Sequence, residues 1–213
     1  MASQIDICNT ALINAGQSTA IQSLTEASTA ASVLSAVWAM ARDKVTRDNP
    51  WRFARRWGNL ALLSTNPTTD WIYAYAQPED CLIPRRVVNG ISRVESQPIP
   101  WTTANNGSQP ILLTDQANAV LEYTARVEDA TQYPADFAMA LSFYLAHLIC
   151  PALNVKYDVR TQLHADYKRE ITNAAANMAN QNAPDQNAPC EFLSVRNPAF
   201  TAASPIWPYG PYG

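Results

Sequence analysis

Arg42-Asp43-Lys44-Val45-Thr46-Arg47-Asp48-Asn49-Pro50-Trp51-Arg52-Phe53-Ala54 is the stretch in which one kind of chain gives way to another. Ahead of it, Ala27, Ala30, Ala31, Leu34, Val37, Trp38, Ala41 and Val45 recur at helical spacing. That stripe predicts a helix over about 26–48, with Thr25 able to cap it and Ala residues letting backbones approach closely. Arg42, Lys44 and Arg47 fall in the last turns, where cations complement the helix dipole. Pro50 stops the helix, and the ring of a proline pushes the preceding residue, Asn49, toward extended conformations. Past Trp51 the helical period is gone.

From 51 to 133, Pro, Gly and aromatic residues punctuate short runs with β character. Asn59 to Ser64, Trp71 to Ala76, Arg85 to Val88, Ile91 to Glu95, Ile111 to Leu113 and Ala119 to Arg126 are the predicted strands. In the last of these Val120, Glu122, Thr124 and Arg126 alternate with Leu121, Tyr123, Ala125 and Val127. Asn89-Gly90 between two of the runs is a type I′ hairpin signal, and Asn105-Asn106-Gly107 marks a second turn.

Working outward to the N-terminus, residues 3–16 read as a short amphipathic helix. Ser3 is placed to cap it with Asp6 at the third helical position, and Gly16 suits the left-handed residue that ends it. Ile5, Cys8, Leu12 and Ala15 form its apolar face. Helical pattern returns at about 134, with Pro134 at the first position and Pro151 ending the run. Phe137, Leu141, Tyr144, Leu145, Leu148 and Ile149 make a wide apolar face. A fourth helix is predicted over about 155–180, through Tyr157, Leu163, Tyr167, Ile171 and Ala175.

From 182 onward Pro184, Pro189, Pro198, Pro205, Pro208 and Pro211 argue against regular structure, because proline removes donors and fixes φ. The same stretch carries Phe192, Phe200, Trp207, Tyr209 and Tyr212, and a solvated tail is poor in such residues. Proline with interleaved aromatics predicts an extended arm that docks into a partner's groove, the alternative being an arm that packs on its own domain. The fold expected is therefore α+β: an antiparallel, up-and-down bundle of about four helices with a small antiparallel β insertion. The bundle takes residues 1–50 and 134–181, the insertion 51–133, and the Pro- and aromatic-rich C-terminal arm 182–213.

Composition narrows the function. Charged residues are 15% of the 213, and the formal net charge is -3, with no dense Lys/Arg block. Sequence-reading nucleic-acid binders carry such a block. The four cysteines, Cys8, Cys81, Cys150 and Cys190, form no CxxC pair and read as structural thiols. The N-terminus lacks a basic n-region and a long apolar run, so no signal peptide is expected. No window reaches the roughly 18 apolar residues of a membrane span.

Catalytic constellations are sparse. His147 sits on an apolar helix pattern, and His164 lies among Gln162, Asp166 and Lys168. A Cys150–His147 nucleophile pair has the right i, i+3 spacing but no orienting third group. Glu79-Asp80 and Glu128-Asp129 are acidic pairs next to predicted strands, and paired carboxylates serve glycoside hydrolysis when a cleft sets them a fixed distance apart. Acidic pairs in loops are more often solvated turns. Arg52, Arg55, Arg56 and Arg85-Arg86 are small basic groups suited to ion pairs, interfaces or non-specific contact with DNA. The reading expects no catalytic, metal or cofactor residues.

In order and spacing these pieces resemble the head-to-tail adaptor family of tailed bacteriophages, the one that includes tail tubular protein A. Asn9-Thr10-Ala11-Leu12 to Gly16 and Ile21-Gln22-Ser23-Leu24-Thr25-Glu26-Ala27 resemble its first helix and loop. Arg42-Asp43 with Pro50-Trp51-Arg52-Phe53-Ala54 resembles its next signature, and Tyr73-Ala74-Tyr75-Ala76-Gln77-Pro78-Glu79-Asp80-Cys81 its strand and turn, with Gln77 in place of an apolar residue. Leu113-Thr114-Asp115, Leu121-Glu122-Tyr123 and Ala135-Asp136-Phe137 through Leu145-Ala146 are similar to the elements that follow. The resemblance spans about residues 4–180. It implies a virion protein of the tail or neck, assembled in the host cytoplasm as a ring of about twelve subunits whose bore passes DNA without reading it. It also implies two partners, the portal protein and the tail nozzle or next tail component, with no membrane and no turnover. Some members have been proposed to hydrolyse glycans, which here would fall to Glu79, Asp80, Glu128 or Asp129. A free-standing interaction module outside any virion is the remaining alternative.

Overall fold

The computed structural model describes residues 3–88 and 98–180. Chain contacts divide the protein into two compact units, Met1–Asn177 and Met178–Gly213. Of the second unit only the end of the last helix is described. The aromatic arm residues Phe192, Phe200, Trp207, Tyr209 and Tyr212, the Asn89-Gly90 turn and the run Ile91 to Glu95 lie outside the described residues.

Helix α1 spans Gln4–Asn14 and starts where its capping chemistry dictates. The Ser3 hydroxyl accepts from the Asp6 amide while the Asp6 carboxylate accepts from the Ser3 amide, a reciprocal capping box. At the other end Gly16 takes φ +76°, the Gly16 amide donates to the Ile13 carbonyl, and the Gln17 amide to the Leu12 carbonyl. That is a Schellman ending, which requires a residue tolerant of the left-handed region.

Helix α2 spans Thr29–Asp48, starting about three residues later than its apolar stripe suggests. The reason is a turn held by Glu26, whose carboxylate accepts from the Gln22 amide and the Ser28 hydroxyl. Ser28 rather than Thr25 then caps the helix, accepting from the Ala31 amide. The stop is as read: Asn49 is extended at φ -140°, ψ 144°, ahead of Pro50. Trp51 folds back and donates its indole N–H to the Val45 carbonyl at 2.8 Å, satisfying one of the orphan acceptors of the helix end.

Helices α3, Ala135–Ile149, and α4, Tyr157–Asn180, complete the four. α3 is the centre of the helical part. Phe137, Leu141, Leu145 and Ile149 have no exposed area, and both α1 and α2 pack against it. α4 contributes the buried Leu163 and Tyr167, and the Tyr144 and Tyr167 rings meet across the α3–α4 seam at 4.9 Å.

The expectation of a small β insertion in a helical bundle is overturned. The described residues contain seven strands in two antiparallel sheets. Strands β1 (Arg55–Asn59), β7 (Val120–Ala125) and β4 (Cys81–Val88) form the three-stranded sheet, in the order β1-β7-β4. Strands β2 (Ala61–Leu62), β3 (Tyr73–Ala76), β6 (Pro110–Thr114) and β5 (Trp101–Asn105) form the four-stranded one, in the order β2-β3-β6-β5. A core of their own lies between the sheets. Tyr75 and Leu112 from the four-stranded sheet meet Val87, Leu121, Tyr123 and Ala125 from the three-stranded one. The opposite face of the four-stranded sheet is buried too, with Ala74, Ile111 and Leu113 under Leu63 and Trp71. The architecture is thus an α+β fold in which the sheets form a second layered body.

The underestimate has local causes. β5 is mostly exposed and reads as polar Thr and Asn after one Trp. β1 begins with Arg55-Arg56, where no alternation is visible. β4 carries Pro84 in mid-strand, which ordinarily counts against a strand. It is tolerated because β4 is an edge strand with register shifts on both sides of Ile83-Pro84.

The helical part and the sheets meet at an aromatic joint. Trp51 and Phe53, at the entry to the sheets, and Tyr133, at their exit, all pack on Phe137 of α3, with ring centroids 5.1, 4.8 and 4.7 Å away. The Tyr133 hydroxyl donates to the Val127 carbonyl and fixes the returning chain. Deleting the Phe137 ring is expected to cost about 3–5 kcal/mol, the range for a large buried side chain. In Phe137→Ala, urea unfolding followed by far-UV circular dichroism and by tryptophan fluorescence should shift to lower urea together. A helical transition that moves while the fluorescence transition stays would show that the joint does not couple the two bodies.

Candidate functional site

One carboxylate of each acidic pair singled out in the sequence is occupied with structural contacts. Asp129 caps the short helical turn Ala130–Gln132, accepting from the Thr131 amide and hydroxyl. Those hydrogen bonds hold its carboxyl below the usual carboxylate range, the opposite of what a general acid needs. Asp80 accepts from the Arg56 guanidinium at 2.7 Å and the Tyr123 hydroxyl at 3.0 Å. Burial, followed by that hydrogen bond to Asp80, pushes the Tyr123 phenol up to about 12. Glu79 is exposed, and Glu128 lies 3.8 Å from Arg42 with its side chain three-quarters exposed.

The described thiols, Cys8, Cys81 and Cys150, are likewise unsuited to nucleophilic work. Burial pushes Cys8 up to about 12 and, with the neighbouring Asp80 charge, Cys81 up to about 11. Cys150 has no exposed area, and burial raises it as well. A nucleophilic cysteine needs the thiolate, which these surroundings disfavour. Its sequence neighbour His147 turns Nδ1 to the Arg160 carbonyl at 3.1 Å instead. Among the described residues no three His, Cys, Asp or Glu side chains are grouped to hold a metal, and no helix is long and apolar enough to cross a membrane.

The structure gathers polar chemistry in two places. The first is the outer face of the three-stranded sheet. Antiparallel register sets Arg55 opposite Thr124 and Trp57 opposite Glu122 on one side, and Arg86 opposite Glu122 on the other. Glu122 is buried, and its two carboxylate oxygens meet Arg55 at 2.5 Å and Arg86 at 2.8 Å. Arg85 sits in the register shift of β4 and donates its Nε to the Thr124 hydroxyl at 2.9 Å. Its Nη2 is buried with no hydrogen-bond partner, and desolvation lowers its pKa despite the Glu122 charge. The Arg55 guanidinium lies 4.8 Å over the ring of Trp57, whose side chain is 57% exposed. Of these residues Arg55, Arg85 and Arg86 were candidates from sequence. Glu122, Thr124 and Trp57 were not, although the period-2 alternation of β7 already put Glu122 and Thr124 on a common face.

Arg56, adjacent in sequence, points to the opposite side and its Asp80 partner. Arg42 and Arg126 both pair with Asp43, so the Arg42-Asp43 dipeptide links α2 to the residue after β7.

The second place is the seam of α2, α3 and α4. The His147 and His164 rings lie 4.8 Å apart, and the Tyr167 hydroxyl donates to Asp48 at 2.5 Å, with Lys44 also on Asp48. His164 Nδ1 is buried without a partner. Burial first, then the positive charges of His147, Lys168 and Lys44, lower the His164 pKa. Compared with known proteins, the chain matches no family model and no curated sequence.

A lowered imidazole pKa has a definite sign. The folded state holds fewer protons on His164 than the unfolded state, whose histidine titrates near about 6.5. The stabilisation is complete above that value and is lost as pH falls through it toward the folded pKa. The urea midpoint of the native chain should therefore drop between about pH 7.5 and pH 5, and His164→Gln should flatten that drop. An identical pH dependence in the variant would contradict the assignment.

Proposed function

We propose that the chain is a structural connector: one subunit of a head-to-tail adaptor ring in a tailed-phage virion, joining the portal to the tail. The observation that carries the reading is the role taken by the residues on which the family resemblance rests. The Asn9 carboxamide bonds both the amide and the carbonyl of Ile21, closing the first loop on α1. Asp43 takes Arg42 and Arg126. Trp51 and Phe53 pack on Phe137, Ala54 is fully buried, and Asp80 takes Arg56 and Tyr123. These residues of the resembling motifs serve as joints of the fold, as a shared architecture requires.

Large apolar side chains exposed on all four helices fit a subunit with neighbours. Ile13 on α1, Met40 on α2, Met139 on α3 and Tyr157 on α4 are 71%, 60%, 44% and 75% exposed. In a closed ring a weak contact suffices, because closure makes each subunit's second contact intramolecular. DNA crosses such a ring without being read, so the site chemistry required is electrostatic and sequence-independent. The contacts of Asp80, Glu128 and Asp129 lend no support to an additional glycan-hydrolase role.

Light scattering on the purified protein, alone and mixed with its cognate portal, tests the reading. A ring mass, alone or on the portal, is expected. A persistent monomer that ignores the portal would favour an interaction module outside the virion. A second expectation concerns the arm: a chain ending before Pro184 should keep its far-UV spectrum and thermal transition but lose portal binding. If the shortened chain unfolds, residues 184–213 belong to its own core.

A further inference from the structure

We infer that the outer face of the β1-β7-β4 sheet, built from Arg55, Arg85, Arg86 and Trp57 around Glu122, is a binding surface for the phosphate backbone of duplex DNA. The choice of DNA as the polyanion rests on the adaptor reading. The surface itself rests on charge and register.

Among the described residues, two guanidiniums pair with the Glu122 carboxylate and a third, Arg85, bonds the neighbouring Thr124, so the cluster carries a local excess of positive charge on a chain whose formal net charge is -3. Here Glu122 is already bridged by Arg55 and Arg86, one on each carboxylate oxygen, and Arg85 is an addition. The carboxylate is buried while the two arginines that hold it remain about half exposed, at 45% and 53%. The negative charge is therefore hidden and the positive charge displayed. The carboxylate aligns the two guanidiniums, and Trp57 supports Arg55 from below by a cation–π contact. Side chains pre-aligned in this way lose less freedom on meeting phosphate oxygens, which guanidinium forks match in geometry. The array sits on paired strands rather than on loops, so its spacing is set by the sheet. Nothing in it reads base edges, which suits non-specific passage.

The test is fluorescence anisotropy of a labelled duplex of about 30 base pairs against the full chain, from low to moderate salt. Light scattering with portal is run on the same samples. Binding should weaken linearly in log–log salt, and Arg55→Gln or Arg86→Gln should each lower the slope by about 0.9, one phosphate contact. The double charge reversal Arg55→Glu/Arg86→Glu should lose binding by at least about tenfold at low salt. Glu122→Gln works in the opposite direction. It removes the carboxylate on which Arg55 and Arg86 meet and should tighten binding, so a destabilised double variant does not decide the matter by itself.

Affinity indifferent to all of these substitutions overturns the surface, even if the ring assembles on the portal. Dependence on them in a chain that never assembles keeps the surface and removes the adaptor reading. Loss of assembly with DNA affinity intact places the face between subunits and overturns the proposal.

Discussion

The structure depends on the packing of three aromatic residues against Phe137. Trp51 and Phe53 come from the segment that leaves α2, Tyr133 from the segment that enters α3, and Phe137 itself has no exposed area. The segment between them holds both sheets. A two-sheet body tethered by two strands of chain would swing if only the backbone connected it. Edge-to-face packing of four rings, with the Trp51 indole bonded to Val45 and the Tyr133 hydroxyl to Val127, removes that freedom. Asp43, bridging Arg42 and Arg126, adds a polar tie between α2 and the end of β7. Orientation of the sheets relative to the helices is thereby a property of one core.

That constraint gives the polar groups their meaning. Other charges in the described residues form simple pairs: Arg56 with Asp80, Lys44 with Asp48, Arg169 with Asp166. Exposed pairs of this kind contribute little to stability but fix local geometry. The Glu122 cluster differs in its burial, a buried carboxylate held by two half-exposed arginines, and it lies on the sheet whose position the aromatic joint sets. A connector has to present its surfaces at fixed angles to its neighbours. A defined joint between a helical body and a sheet body would meet that need in the proposed connector role.

Much of the helical part was legible in the sequence. Ser3, Asp6 and Gly16 announced both ends of α1, and Asn49-Pro50 the end of α2, because caps and proline act locally. The start of α2 was missed because Glu26 closes a side-chain turn that no period reveals. The sheets were under-read for a related reason. Strand pairing is non-local, and β5 or β1 acquires its strand character from a partner distant in sequence: Trp101 from Thr114, Arg55 from Thr124. The same holds for the site. Arg55 and Arg85-Arg86 were visible as small basic groups, but only register brings them to one carboxylate. Asp129 and Glu79-Asp80, conspicuous as acidic pairs, turned out to include a cap and an ion-pair partner.

Electron cryomicroscopy of the full chain incubated with a cognate portal bears on the proposed connector role most directly. A closed ring is expected, in which the helices and sheets keep the orientation set by the Phe137 joint and the Arg55–Arg86 face lines the bore. Isolated subunits, or a ring in which that face is buried between neighbours, would contradict that role.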